Sequence, residues 1–73
     1  MNEVDIRGEP CGMPVVRVEK FLLKESGGAP FAVLGDDAQT MDQLKLLAKR
    51  HGWTCDVVRA GGDYRAELRP SKT

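Results

Sequence analysis

Hydrophobic and polar positions along this 73-residue chain follow two rhythms, and the switches between them outline the elements. Val4 and Ile6 alternate with Asp5 and Arg7, the period-two pattern of a strand with one buried face over Val4–Arg7. From Pro14 to about Ser26 the spacing becomes helical. Val15, Val18, Phe21 and Leu22 share one stripe, with Arg17, Lys20 and Lys24 opposite and Val16 and Leu23 on a flank beyond it. Ser26-Gly27-Gly28 ends that helix. Pro30–Gly35 is a nearly unbroken apolar run, expected of a central strand. A loop over Asp36–Thr40 follows, with Asp37 or Thr40 as helix cap. The second helix is expected from about Thr40 to His51, stopping at Gly52. It turns Met41, Leu44, Leu47 and Ala48 inward, Asp42, Lys45, Lys49 and Arg50 outward, and leaves Leu46 partly exposed. Trp53–Arg59 and Tyr64–Pro70 read as strands joined by Ala60-Gly61-Gly62-Asp63, a Gly-Gly hairpin signal. In the last strand Tyr64, Ala66 and Leu68 face inward, and Arg65, Glu67 and Arg69 outward.

This order, strand-helix-strand-helix-strand-strand, predicts an α/β (α+β) fold: a two-layer βαβαββ sandwich with two helices on one face of a four-stranded mixed sheet. The first two strands should be parallel, because right-handed crossovers place both helices on one side. A single domain over 1–73, with an ordered core of about 4–70, is expected. A chain this short buries only about 60% of its unfolded surface, which leaves little room for a deep catalytic pocket.

Eleven acidic and eleven basic residues balance, so there is no overall basic field to hold nucleic acid, and no direct nucleic-acid partner is expected. Lys49-Arg50-His51 reads as a solvated helix face. Arg65 and Arg69 lack the exposed aromatic neighbours that RNA binding by such a sheet would use. Met1-Asn2-Glu3-Val4-Asp5 has neither the basic nor the apolar region of a signal peptide, and no apolar run is long enough for membrane insertion. With two cysteines only, the chain is expected to be cytoplasmic and reduced; a monomer is expected.

The candidate chemistry lies at the first strand-to-helix junction. Cys11 sits in a Gly/Pro-rich turn just ahead of Pro14, and Pro is well tolerated in the first turn of a helix. Backbone N–H groups and the helix dipole there favour a thiolate, the nucleophilic form of the thiol. Gly12 leaves the sulfur approachable; Arg7 would favour the thiolate and Glu9 oppose it. Cys55 shares strand phase with Trp53 and Val57 and reads as a small core group. No second Cys or His stands at ligand spacing from Cys11, so no metal and no cofactor are expected. His51 lies at the far end of the second helix, which leaves the thiol without a general base. The glycines form no phosphate-binding loop.

The string Val4-Asp5-Ile6-Arg7-Gly8, followed by Cys11-Gly12-Met13-Pro14, resembles the signature of the TusA/SirA-like sulfur carrier family: aliphatic-Asp-aliphatic-Arg-Gly, two residues, then Cys-Pro-x-Pro. Lys20 matches a basic position on that family's first helix, and Gly35-Asp36-Asp37-Ala38-Gln39-Thr40 is similar to its Asp-Asp-Pro-x-Ser/Thr loop. This chain has Gly12 and Ala38 where the family has proline, and Glu9-Pro10 ahead of the cysteine. The resemblance implies a carrier whose Cys11 accepts a persulfide from a cysteine desulfurase or rhodanese-type donor and hands the sulfur to a downstream acceptor protein. Such a carrier has no independent turnover, and tRNA thiolation, cofactor biosynthesis and sulfur metabolism are the destinations implied. Arg7, Gly8, Gly12 and Pro14 would support the thiol and its turn, and Met13, Val16, Lys20 and Leu46 are candidate partner contacts. The alternative is a non-catalytic interaction or regulatory module on the same fold, with Val16, Leu23 and Leu46 as its contacts.

Overall fold

The computed structural model describes residues 2–9, 13–25 and 27–71. Four strands, β1 (Asn2–Asp5), β2 (Phe31–Gly35), β3 (Trp53–Ala60) and β4 (Asp63–Pro70), form one sheet in the order β1-β2-β4-β3. β1 pairs parallel to β2, and β4 pairs antiparallel to both β2 and β3. Helices α1 (Met13–Lys20) and α2 (Ala38–Arg50) cover one face, and a π-helical turn, Phe21–Glu25, prolongs α1. The expected two-layer sandwich with a mixed sheet is the architecture found.

Several boundaries differ from the pattern-based ones. β1 spans Asn2–Asp5 rather than Val4–Arg7, because its partner β2 sets the ladder from Asn2 opposite Phe31 to Asp5 opposite Leu34. Ile6 keeps one further bond, donating its N–H to the Leu34 carbonyl at 2.8 Å, and Arg7 then leaves in a turn. α1 starts at Met13, one residue before Pro14. Its predicted end at Ser26 lies outside the described residues. α2 starts at Ala38, two residues before Thr40, because Asp37 is the cap. The Asp37 carboxylate accepts from the Gln39 N–H at 3.3 Å and from the Thr40 hydroxyl at 3.0 Å, so Thr40 supports the cap instead of being it. The hairpin loop contracts to Gly61-Gly62, with Ala60 and Asp63 already paired. Gly61 has φ 66°, as tight primed turns require.

The core lies between the layers. Val4, Ile6, Phe31, Val33, Ala66 and Leu68 from the sheet side meet Val18, Leu22, Met41, Leu44, Leu47 and Ala48 from the helices. Phe31 is the hub, with its ring 4.8 Å from Phe21 and 5.7 Å from Trp53. Pro14 also packs inward, which the helical stripe did not anticipate. Cys55 and Val57 pack against the core but are only half-buried, since β3 is the outermost strand, and Tyr64 at the start of β4 is half-buried too. On the open face Arg65 pairs with Glu3 and Glu67, and Arg69 with Glu67 at 2.7 Å. No helix among the described residues is long and apolar enough to cross a membrane.

Candidate functional site

The C-terminal ends of the parallel strands β1 and β2 deliver the chain to the starts of both helices, so the segment after Ile6 and the segment after Gly35 meet at one end of the sandwich. Gly8 adopts φ 77°, a conformation that costs glycine little, and Glu9 donates its N–H back to Ile6 at 3.3 Å. The Gly8 N–H donates to the Asp36 carboxylate at 3.1 Å, tying this turn to the loop before α2. A shallow hollow lined by Ile6, Glu9, Pro14, Gly35, Asp36, Asp37 and Thr40 lies between them.

Arg7 braces the turn. Its Nε and Nη2 grip the Asp5 carboxylate at 3.0 and 2.8 Å, its backbone N–H adds a bond at 3.0 Å, and Nη1 reaches Asp63 of the hairpin at 3.2 Å. These bonds from the Arg7 side chain, then from its backbone, hold the Asp5 carboxyl down at about 2, and the two carboxylates keep Arg7 firmly protonated. Arg17 of α1 pairs with Glu9 and donates to the Asp5 carbonyl at 3.2 Å. Both charges weighed from the sequence for their effect on the thiol are therefore engaged elsewhere: Arg7 by Asp5 and Asp63, and Glu9 by Arg17. Asp63 stands 56 residues from Arg7 in the chain, so no local signal could have named it.

Cys11 and Gly12, with Pro10, lie outside the described residues. Their described neighbours are Glu9, half-buried, and Met13, which is 57% exposed. The other candidates fall in two groups. Arg7, Gly8 and Pro14 surround the turn, whereas Val16, Lys20 and Leu46 lie exposed on the outer surface of the helices. Cys55, the other cysteine, is half-buried against the core, and burial pushes its thiol up to about 11. At about 1.5 Å of rise per residue, the 13 residues of α2 separate Asp37 from His51 by roughly 20 Å. His51 is not isolated there: its Nε2 lies 3.1 Å from Glu19 of α1. Among the described residues no cluster of three or more His, Cys, Asp or Glu is arranged to hold a metal ion.

Residues 2–69 match the family model described as Sulfurtransferase TusA. The chain belongs to the TusA sulfurtransferase family. Among its relatives is a Methanocaldococcus jannaschii protein named as a candidate sulfur carrier, 30% identical over 54 residues, which are 74% of this chain and 72% of that one. The fold is shared with a SirA-like protein of Desulfitobacterium hafniense at a TM-score of 0.85 and 22% identity, covering 99% of this chain and 100% of the other. In this TusA-family chain the shared framework brings the Arg-Gly turn and the Asp-Asp loop together through the Gly8–Asp36 bond.

Proposed function

We propose that the protein is a sulfur carrier that works through Cys11. The thiolate attacks the outer sulfur of a persulfide on a cysteine desulfurase or rhodanese-type donor; a new S–S bond forms and the donor thiolate leaves. A thiolate of the acceptor protein later attacks the outer sulfur of the Cys11 persulfide, and the Cys11 thiolate departs. Sulfane sulfur moves at each step with no net oxidation or reduction. The role of the fold is to hold the strand-to-helix junction around Arg7, Gly8 and Pro14, the segment to which Cys11 belongs in the sequence.

The observation that carries this reading is the state of the second cysteine. The chain has two, and Cys55 is half-buried on the sheet with its thiol pushed up to about 11. A thiol so rarely ionised near neutral pH is a poor nucleophile, which leaves Cys11 for the chemistry of a TusA-family chain. Incubation with a cysteine desulfurase and cysteine, followed by intact-mass spectrometry, tests the proposal. One added sulfur on the wild type and none on Cys11→Ser is expected, with peptide mapping placing it on Cys11. Undiminished loading of Cys11→Ser, or loading of Cys55 in the wild type, would overturn it.

A further inference from the structure

The formal neutrality of the chain conceals a polarised molecule. The helical layer, residues 13–25 and 38–50, carries six basic and three acidic residues, leaving five basic and eight acidic for the rest of the chain. Pairing sharpens the contrast. On the sheet and turn side Arg7, Arg65 and Arg69 are held by carboxylates, and Arg59 lies over the Tyr64 ring, 5.4 Å from its centroid. Among the described residues of the helical layer Lys20, Lys24, Lys45, Lys49 and Arg50 pair with none, and Glu19, the one acid of α1 itself, is drawn to His51. Two of these free cations flank an apolar groove between the helices. Val15, Val16, Gln43, Leu46 and Arg50 line it, and Leu46, Lys49 and Arg50 line an adjoining hollow. Val16 and Leu46 stand 45% and 67% exposed there.

We propose that this groove docks an acidic protein surface that seats one apolar side chain between Val16 and Leu46, its carboxylates meeting Lys49 and Arg50. The assignment rests on the sulfur-carrier reading only for who the partner is, namely a protein exchanging sulfur with this chain. Burying the two aliphatic side chains supplies the driving force, while the unpaired cations supply orientation and speed of encounter. Self-association through the same face sets like charges against each other. The chain's aromatic rings, all at least half-buried, offer no stacking platform for single-stranded RNA. Two aliphatic side chains also fall short of the broad apolar face that a membrane-surface helix buries.

The full chain, labelled with nitrogen-15, is titrated with a synthetic peptide of Glu and Asp around one central Leu, followed by amide shifts. The expected shifts centre on Val16, Gln43, Leu46, Lys49 and Arg50 and weaken with added salt, as exposed charges do. Leu46→Asp, Leu46→Ser and the joint Lys49→Glu, Arg50→Glu change should each weaken binding about tenfold, with the spectrum showing an intact fold. Replacing the peptide's Leu by Ser should weaken it likewise. Cys11→Ser should bind as the wild type does, and Leu46→Asp should still be loaded by inorganic polysulfide. Docking without persulfide loading would thus count against the carrier reading alone. Unchanged peptide binding by the Leu46 variants would overturn the docking site. Tighter binding at this face of phosphatidylglycerol vesicles, of a uridine oligomer or of a second copy of the chain would overturn it equally.

Discussion

Gly35 closes β2 beneath the turn at Arg7–Gly8, and an alanine there tests how tightly the two layers are packed at the end that carries the candidate site. Its φ lies outside the left-handed region, so the backbone itself accepts a side chain. The space does not. A Cβ at this position would lie 2.5 Å from the Met41 methyl carbon and 3.5 and 3.6 Å from Ile6 Cγ1 and Cδ1. Comfortable carbon contacts begin at about 3.5 Å, so the Met41 methyl must retreat by roughly 1 Å. Met41 is 1% exposed and Ile6 3%, which leaves the methyl no solvent to move into. Two effects oppose each other. Alanine restricts the unfolded chain and so stabilises by about 0.4–1 kcal/mol. Overpacking costs about 1–3 kcal/mol, moderated by the three rotatable bonds of methionine. The clash wins, and Gly35→Ala should lose about 1 kcal/mol. In a Met41→Leu background the obstructing methyl is gone and the same change should be neutral or slightly stabilising, a coupling of about 1–2 kcal/mol in a double-mutant cycle. Urea unfolding followed by Trp53 fluorescence measures this as shifts in midpoint at constant slope. Gly35→Ala at or above wild-type stability, or an equal cost in both backgrounds, would refute the reasoning.

Asp37→Ala removes the cap of α2 and should destabilise by about 0.5–2 kcal/mol, while Thr40→Val, which deletes only the hydroxyl supporting that cap, should cost less in the same urea assay. Acid stability should carry the mark of Asp5, whose carboxyl is lowered from 3.8 to about 2 in the folded chain by bonds from the Arg7 side chain and then its backbone. A depressed folded value means that this contribution is fully present above 3.8 and disappears as the pH falls through about 2. Thermal midpoints of Asp5→Asn across that window should fall less steeply than those of the wild type; parallel curves would show that Asp5 is not the group titrating.

Much of the fold was legible because local spacing reports burial. Met41, Leu44, Leu47 and Ala48 recur at helical intervals and all lie in the core. The Gly-Gly pair marked its hairpin because positive φ is a property of the residue itself. Element ends were less legible, since they depend on partners. β1 begins where β2 offers a ladder, and the choice between Asp37 and Thr40 as cap was made by backbone geometry around both. At the candidate site the sequence nominates Cys11 through residue type and the family signature around it, and Cys11 itself lies outside the described residues. The bracing of the turn at Arg7 and Gly8 was not legible. Arg7–Asp63 and Gly8–Asp36 join residues 56 and 28 positions apart, and nothing in the spacing of either partner announces the other.

What the sequence by itself determined is the order of the elements, their inward faces, the family signature and the thiol set at its centre. These are matters of residue type and short-range periodicity, which the chain carries wherever it goes. The tertiary structure alone decided which charges are spent and which are free. It engages Arg7, Arg17, Arg65 and Arg69 with carboxylates, leaves Lys49 and Arg50 beside Leu46 without a carboxylate partner among the described residues, and by burial pushes the Cys55 thiol up to about 11. The physical reason is that ion pairing and desolvation depend on distance through space. A neutral composition therefore says nothing of how its charges are arranged.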